Sequence, residues 1–374
     1  MKKIVVTGAR GFMGRNLVCA LKRTENVEVR ELGSEDFDSG VDAAVQGIDF
    51  VVHLAGVNRP PNEEMFHEGN VAVSQRLCDA LKKAGLAVPV IYSSSTQVDR
   101  DNPYGKSKKE AEDVILSHGE TTGAPVYVYR LPNVFGKWSR PEYNTVVATF
   151  CHNISRGLPV QVSNRDAALT LAYVDDIVAV FLDLIEGKQV PETGILEFEN
   201  AEQTTLGQLH DQIVEFEDLR RKERVPDMSL PYTRKLYATF ESFLDPEDLS
   251  YPVDLKTDER GWLFELFKST AAGQIFVSTT KPGITRGNHF HHSKVEKFCV
   301  IQGQGIIRFR AIDSDEVREC HVSGDDIRAV HIPPGLTHSI ENSGSVDMIT
   351  LFWANEIFDP EKPDTYFEHV IKEK

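Results

Sequence analysis

Apolar and polar positions follow one repeated pattern through the first half of the chain. Short runs of apolar, often β-branched residues are each followed by a longer stretch in which apolar residues recur at helical spacing. Runs of the first kind are typical of buried strands, and stretches of the second kind are typical of helices packed on a sheet. The predicted strands cover 3–6, 49–54, 88–93 and 124–130, and the predicted helices cover 16–21, 70–84 and 105–117. Strands that alternate with helices predict an α/β fold with a parallel, doubly wound sheet.

The pattern changes at about Ser250. From there the chain consists of short alternating runs, such as those at 275–279 and 306–310, separated by Gly, Pro, Asn and Asp. Many short strands with turn signals predict a small all-β barrel or sandwich. The charged, proline-interrupted segment from Glu215 to Tyr251 is expected to close the first domain and connect it to the second. We therefore predict two domains, 1–246 and 247–374.

Composition and charge exclude several classes of protein. The chain of 374 residues is 41% hydrophobic and 26% charged, which is typical of a folded globular protein. Its formal net charge of -16 argues against binding to nucleic acid, which needs a surplus of Lys and Arg. The five cysteines are scattered without CxxC spacing, and the first apolar run is too short for a signal peptide or a membrane span. We expect a cytoplasmic protein with no membrane partner.

A glycine-rich turn follows the first predicted strand. Gly8, Gly11 and Gly14 stand at GxxGxxG spacing between that strand and the first helix. Such glycines let the backbone approach a pyrophosphate at the positive end of a helix. Glycines in a strand-to-helix turn also occur merely for packing, but their place on the first strand of a βαβ pattern favours nucleotide binding.

A tyrosine and a lysine stand four positions apart at the start of a predicted helix. Tyr104 and Lys108 therefore face the same side, and a nearby ammonium group is expected to lower the pKa of the phenol. Any helix can hold such a pair on its surface. Here the run Ser93–Ser95 ends the preceding strand and supplies a hydroxyl at the edge where α/β sheets bind ligands.

These motifs, together with Arg130-Leu-Pro-Asn133-Val-Phe-Gly, resemble the extended short-chain dehydrogenase/reductase family, which acts on nucleotide sugars. The resemblance covers about the first 240 residues. It implies that Tyr104 donates a proton to a sugar ketone, that Lys108 binds the ribose and tunes Tyr104, and that Ser95 hydrogen-bonds the ketone oxygen. It also implies that Asn133 and Arg165 border the substrate.

The same resemblance implies a Rossmann-type domain that binds NADPH. In this family a basic residue in the glycine loop, here Arg10, accompanies NADP, and Arg30 is expected to meet the 2′-phosphate although Glu28 and Glu31 flank it. The expected cofactor contacts are Gly8, Arg10, Gly11, Phe12, Met13, Gly14, Arg30, Leu54, Ala55 and Lys108.

A second group of candidate residues lies near the other end of the chain. His289 and His291 share a face if they lie on one strand, Glu296 follows after a short turn, and His338 lies on a later strand. Three imidazoles and one carboxylate suit Zn²⁺ or another divalent first-row metal. His292 replaces His291 if the strand bulges, and adjacent histidines can also form a plain surface cluster.

This region resembles the cupin family. The spacing G-x5-H-x-H-x4-E-x6-G is met from Gly283 to Gly303, and P-x-G-x2-H-x3-N is met from Pro333 to Asn342. The stretches 258–265 and 286–290 are also similar to the opening strands of the deoxysugar-nucleotide 3,5-epimerases, which are cupins.

The two groups can share one ketone. Inverting a carbon beside a carbonyl requires removal of its proton, and a Lewis-acidic metal stabilises the resulting negative charge. A reductase consumes the same carbonyl. Epimerisation must come first, because reduction removes the acidity of the neighbouring proton.

On motifs that include Asn58-Arg-Pro60, Gly136-Lys-Trp138 and Asp364-Thr-Tyr366-Phe367, the chain resembles from end to end the bifunctional enzymes of capsular polysaccharide biosynthesis. The resemblance implies a substrate, UDP-2-acetamido-2,6-dideoxy-β-L-arabino-hex-4-ulose, that is epimerised at C3 in the cupin domain and reduced with NADPH at C4 in the other domain. The product, UDP-2-acetamido-2,6-dideoxy-L-talose, lies on the route to UDP-N-acetyl-L-fucosamine. A homodimer with zinc in the cupin is also implied.

Three alternatives stay open on the sequence. The cupin is a noncatalytic sugar-binding or dimerising module, or an iron oxygenase, or the whole chain is a nonenzymatic NADP sensor. The acid and base of the epimerisation are equally open, and the candidates are Glu265, Lys281, Arg286 and His292.

Overall fold

The computed structural model describes residues 1–249 and 252–372. The chain divides into two compact units, which we name the α/β unit and the β unit. The α/β unit comprises Met1–Val214 and Lys235–Leu244, and the β unit comprises Glu215–Arg234 and Asp245–Lys374.

The predicted boundary between residues 246 and 247 stays a prediction. The compact units differ from it, because Glu215–Arg234, expected to close the first domain, belongs to the β unit. The predicted change of pattern at Ser250 and the end of the connecting segment at Tyr251 lie outside the described residues.

The α/β unit contains a parallel sheet of six strands in the order β2-β1-β3-β4-β5-β8, and β6, β7 and β9 form a second, smaller sheet. The strands are β1 Lys2–Thr7, β2 Val27–Leu32, β3 Phe50–His53, β4 Val90–Ser95, β5 Val126–Leu131, β6 Asn133–Phe135, β7 Ala168–Tyr173, β8 Gly194–Glu197 and β9 Ala201–Thr205. This confirms the predicted doubly wound fold.

Helices cover both faces of the six-stranded sheet. The α-helices of the described residues are α1 Phe12–Leu21, α2 Phe37–Ala44, α3 Glu64–Phe66, α4 Val73–Lys83, α5 Pro103–Thr122, α6 Val146–Ser155, α7 Val174–Glu186, α8 Leu206–Arg221 and α9 Pro231–Glu241. Ile4 of β1 packs in the core beneath α1 and α7, whereas Val5 packs in the core beneath α2, α4 and α5. Both faces are therefore apolar, which is why the strands appear as uninterrupted apolar runs.

The order of the strands places a crevice beside β1. The chain passes from β1 to β2 on one side and returns to β3 on the other. Loops that leave the carboxyl ends of two such strands diverge, and α/β sheets bind ligands at this point.

The β unit contains two sheets, in the orders β10-β11-β12-β19-β14-β17 and β16-β15-β18-β13-β20. The described strands of both sheets pair in antiparallel fashion. The strands are β10 Lys256–Asp258, β11 Gly261–Ser269, β12 Gly273–Thr280, β13 Thr285–Phe290, β14 Glu296–Gln302, β15 Gln304–Ala311, β16 Val317–Ser323, β17 Ala329–Ile332, β18 Leu336–Asn342, β19 Met348–Ala354 and β20 Tyr366–Phe367.

Side chains from both sheets form the core of the β unit. Phe298 and Phe352 come from the first sheet, and Ile307 and Ile340 come from the second. This arrangement confirms the predicted all-β second domain. Among the described residues, no helix combines the length and the apolar character that crossing a membrane requires.

Candidate active sites

The glycine loop lies at the carboxyl end of β1, beside the end of β3. Gly8 has φ 64°, and a Cβ atom on it would lie 2.7 Å from the amide nitrogen of Ala55 and 2.8 Å from the carbonyl carbon of Leu54. A Cβ atom on Gly14 would lie 2.1 Å from the carbonyl oxygen of Gly8. Neither position has room for a side chain, so close packing of β1, β3 and α1 depends on glycine.

Helix α1 starts in this loop without a side-chain cap, because its N-cap residue is Gly11. The first N–H groups of a helix have no partner inside the helix, and they form an anion site. These groups belong to Phe12, Met13 and Gly14. The loop has the geometry that a pyrophosphate needs, and its individual cofactor contacts stay predictions.

Arg10 extends from the glycine loop across to the segment after β2. Its guanidinium pairs with the carboxylate of Glu35 and, at 2.9 Å, with that of Asp36. More than half of the Arg10 side chain is exposed. The residue is therefore placed at the edge of the expected cofactor site, although two carboxylates already neutralise it.

Arg30 lies away from the glycine loop. Its Nη1 atom donates to the carbonyl oxygens of Ala44 at 2.9 Å and Gln46 at 2.6 Å, just beyond α2. Helix α2 carries the chain back toward the amino end of β3, so the guanidinium faces the opposite edge of the sheet. In the free protein these backbone carbonyls hold its donors, and the contact of Arg30 with a 2′-phosphate stays a prediction.

Tyr104 and Ser95 are brought together at the carboxyl end of β4. The side chain of Asn102 accepts a hydrogen bond from the N–H of Gly105 at 2.7 Å and starts α5, which places Tyr104 in its first turn. The hydroxyl group of Ser95 lies close enough to the phenol of Tyr104 to act on its pKa, which it lowers. The ring of Tyr104 also packs on Phe66, with 6.0 Å between the ring centroids.

Lys108 is buried one turn further along α5. Its Nζ atom donates to the carbonyl oxygen of Ser93 at 2.7 Å and lies 4.3 Å from the ring centroid of Tyr92. Burial lowers the pKa of Lys108 to about 7. The ammonium group keeps donors that a ribose hydroxyl can meet.

The expected lowering of the Tyr104 pKa by Lys108 is not found in the free protein. Burial raises the pKa of Tyr104, and the hydrogen bond from Ser95 offsets this only in part. Burial opposes the charged phenolate more strongly than the lysine, itself held at Ser93, stabilises it.

A buried histidine that the sequence analysis missed lies beneath this site. His53, the last residue of β3, contacts the hydroxyl of Thr7 through Nδ1 at 2.6 Å and that of Ser74 through Nε2 at 3.0 Å. The Thr7 oxygen also accepts from the N–H of Ala55 at 3.2 Å. One polar residue inside the apolar run FVVHL was the available signal.

The same network continues to the backbone of Tyr104. Ser74 donates to the carbonyl oxygen of Asn70 at 2.7 Å, and the Nδ2 atom of Asn70 donates to the hydroxyl of Ser107 at 2.9 Å. Ser107 in turn donates to the carbonyl oxygen of Tyr104 at 2.9 Å. Asn70 lies in the π-helical turn His67–Ala72 that precedes α4. Buried hydrogen bonds thus link the glycine-loop strand to Tyr104.

The two predicted substrate residues are exposed. Asn133 begins β6, and Arg165 pairs with Asp211 at 2.5 Å. Their roles stay predictions.

In the β unit, the four predicted metal ligands lie together. One ligand atom from each of His289, His291, Glu296 and His338 can be chosen so that all lie within 4.8 Å of one another. His289 stands opposite His338 across β13 and β18, past a bulge at Asn288, whose φ is 59°. Glu296 is the first residue of β14.

Two histidines direct their Nε2 atoms at one carboxylate oxygen. Oε2 of Glu296 lies 3.2 Å from Nε2 of His291 and 3.3 Å from Nε2 of His338. The Nδ1 atoms face backbone carbonyl oxygens, that of Asp364 at 2.5 Å and that of Leu336 at 3.2 Å. Such contacts fix the ring orientation of a metal ligand.

The protonation states suit a cation at this position. Burial opposes charge on Glu296, yet the neighbouring imidazoles of His291 and His338 hold its pKa at about 2. Burial, reinforced by the neighbouring imidazoles, lowers the pKa of His289 to about 4. At neutral pH the cluster therefore offers a carboxylate and at least one neutral imidazole.

The four candidates for the acid and base of epimerisation are not equally placed. His292 and Lys281 are exposed, and Glu265 lies 3.3 Å from the Nζ atom of Lys268. Arg286 stands opposite Ile340, two positions from His338, and so shares the face of the cluster.

Two protein families match two separate regions of the chain. Residues 4–195 match the NAD dependent epimerase/dehydratase family, and residues 256–366 match a polysaccharide biosynthesis C-terminal domain. The chain therefore belongs to the NAD dependent epimerase/dehydratase family, in a form that carries this second domain.

Several relatives align with the chain over nearly its full length. The chain is 44% identical to a UDP-2-acetamido-2,6-beta-L-arabino-hexul-4-ose reductase of Pseudomonas aeruginosa, over 97% of this chain and 98% of that protein. It is also 44% identical to the capsular polysaccharide assembling protein CapF from Staphylococcus aureus, with a TM-score of 0.90 over 98% of this chain and 100% of that chain. A structure of CapF with the inhibitor 3-isopropenyl-tropolone matches with a TM-score of 0.84 at 40% identity, over 98% of this chain and 100% of that chain. The end-to-end resemblance to enzymes of capsular polysaccharide biosynthesis is thereby confirmed.

Proposed function

We propose that the chain acts twice on UDP-2-acetamido-2,6-dideoxy-β-L-arabino-hex-4-ulose. The β unit epimerises C3, and the α/β unit then reduces the C4 ketone with NADPH, which gives UDP-2-acetamido-2,6-dideoxy-L-talose. The observation that carries the proposal is the full-length identity of 44% to a reductase named for a UDP-linked hexul-4-ose. The His–Glu cluster of the β unit, separate from the Tyr104 site of the α/β unit, supports epimerisation as the second activity.

In the reduction, NADPH supplies a hydride to C4. Ser95 and Tyr104 hydrogen-bond the C4 oxygen, and Tyr104 transfers its phenolic proton to that oxygen as negative charge develops there. Lys108 holds the ribose through its free donors and stabilises the phenolate that remains. The glycine loop and the start of α1 bind the pyrophosphate.

Zn²⁺ or another divalent metal fits the cluster in the β unit. Nε2 of His338 is buried, has no hydrogen-bond partner and lies beside a carboxylate held in its charged form. Three imidazoles and one carboxylate are a donor set that zinc accepts. His289, His291, Glu296 and His338 would hold the ion, and the ion would act there as a Lewis acid on the sugar ketone.

The epimerisation consists of two proton transfers at C3. A base removes the C3 proton, and an acid returns a proton to the opposite face of the ring. Arg286 shares the face of the cluster and is a cation, so it suits the negative charge that develops on the C4 oxygen. The ketone must still be present, so this step precedes reduction.

The test is incubation of the substrate with the protein in deuterated water, first without NADPH and then with it. We expect deuterium at C3 without NADPH, resolved by NMR from exchange at C5, and a reduced product inverted at C3 with NADPH. A reduced product that keeps both its C3 proton and its configuration would leave the chain as a reductase with a noncatalytic β unit. The expected homodimer is checked separately by sedimentation.

A further inference from the structure

One carboxylate organises the turn between β13 and β14. Oδ1 of Asp364 accepts the N–H of His292 at 3.0 Å, and Oδ2 accepts the N–H groups of Ser293 at 2.9 Å and Lys294 at 2.8 Å. Oδ2 also accepts the hydroxyl of Ser293 at 3.0 Å. Three successive backbone N–H groups form a concave anion site, and this chain fills it with its own side chain.

The backbone of the same residue contacts a candidate metal ligand. The carbonyl oxygen of Asp364 accepts Nδ1–H of His291 at 2.5 Å, which directs Nε2 toward Glu296 at 3.2 Å. His291 lies beyond the end of β13, so the strand itself does not fix the direction of its ring. The hydrogen bond to the carbonyl oxygen of Asp364 fixes the direction of the ring.

Neighbouring contacts hold the C-terminal segment against the ligand-bearing strand. Nζ of the buried Lys294 donates to the carbonyl oxygen of Pro363 at 2.7 Å. Beyond Asp364, the strand β20 pairs with the end of β13, and the N–H of Glu368 donates to the carbonyl oxygen of Asn288 at 2.9 Å.

We propose that Asp364 is a positioning residue for the metal centre, an inference that rests on the proposed metal function of the cluster. Its carboxylate holds the turn at 292–294, and this fixes the carbonyl oxygen that selects the tautomer and direction of His291. Loss of an outer partner of a ligating histidine typically weakens metal binding by roughly 10- to 100-fold.

The backbone conformation of Asp364 allows a clean substitution. Its φ is 38°, in the left-handed region that glycine adopts without strain and asparagine tolerates. Asp364→Gly therefore removes the carboxylate and leaves the backbone free to keep its conformation. Asp364→Asn keeps one acceptor oxygen. The matched control is Asp359→Gly, because Asp359 is an exposed residue of the same segment whose carboxylate accepts the N–H of Glu361.

The experiment measures zinc affinity of the full chain by competition with a chelator, and the tautomer of His291 in the metal-free protein by ¹⁵N NMR. We expect zinc affinity to fall roughly 10- to 100-fold in Asp364→Gly, less in Asp364→Asn and not at all in Asp359→Gly. At a pH where the His291 imidazole is neutral, its signal should change from the Nδ1–H form to a mixture in Asp364→Gly.

Unchanged zinc affinity and an unchanged His291 tautomer in Asp364→Gly would overturn the inference while leaving the metal centre intact. Absence of zinc binding by the unsubstituted protein would overturn the proposed metal centre and the inference with it. If Asp364→Gly does not fold, Ser293→Ala removes one hydroxyl contact instead, and it should lower zinc affinity without changing the melting temperature of the metal-free protein.

Discussion

His289 and His338 stand directly opposite each other on β13 and β18, with their rings edge to face and 4.6 Å between the ring centroids. These two imidazoles and the carboxylate of Glu296 form a small polar cluster inside the otherwise apolar core of the β unit. We therefore expect His338→Ala to weaken zinc binding at least about 100-fold and to abolish deuterium exchange at C3. Metal analysis and NMR of the substrate measure the two effects.

The exposed His321 of β16 provides the control for this substitution. His321→Ala should keep both zinc and exchange. Equal exchange in His338→Ala and in the unsubstituted protein would argue against a catalytic role of the cluster.

Tyr104→Phe tests the other site. It removes the phenolic proton next to Ser95 and keeps the ring contact with Phe66, so the fold should persist. We expect the rate of C4 reduction to fall by roughly 10²- to 10⁴-fold while exchange at C3 continues. NADPH oxidation and deuterium incorporation, followed on the same sample, distinguish the steps. Loss of both activities together would contradict independent sites.

The buried Lys108 predicts the pH dependence of reduction. Its pKa of about 7 means that the free enzyme loses the ammonium charge as the pH rises through that value. We expect kcat/KM for reduction to decline above about pH 7. In Lys108→Arg the charge persists at every accessible pH, so this decline should vanish even if the absolute rate is lower. Lys109→Arg, at the partly exposed neighbour, should keep the original profile.

The sequence predicted the elements that repeat a local pattern. The alternation of apolar runs and helical stretches was enough for the parallel sheet, and the spacing of Gly8, Gly11 and Gly14 was enough for the loop at its switch point. Arg30 shows what such reasoning leaves out. The resemblance implied a phosphate contact, whereas in the free protein its Nη1 atom donates to backbone carbonyls at the end of α2, which the sequence does not reveal.

The sequence predicted which residues form the cluster in the β unit, but not the contacts that direct them toward one another. Alternation along one strand suggested that His289 and His291 share a face, whereas β13 ends at Phe290 and contains a bulge at Asn288. His291 points inward because Asp364, 73 positions away, accepts its Nδ1–H. Contacts of such long range depend on register, which a single sequence does not determine.

His53 predicts a loss of stability in acid. The hydroxyl of Ser74 donates its proton to the carbonyl oxygen of Asn70, so the Ser74 oxygen accepts the Nε2–H of His53. The other ring nitrogen, Nδ1, then accepts the hydroxyl proton of Thr7. The buried ring is therefore neutral, and burial lowers the pKa of His53 from 6.5 to about 3. Because this folded-state pKa lies below the unfolded value, the full stability is present above about pH 6.5 and declines as the pH falls. At pH 5 the decline from this residue amounts to about 2 kcal/mol.

Amide hydrogen exchange in β1 and β3 at pH 7 and pH 5 measures this loss of stability, and His53→Gln, which is neutral at both values, should remove the loss. The exposed His67 offers the control, since His67→Gln should leave the pH dependence as it is. A dependence that survives in His53→Gln would assign the acid sensitivity to another group.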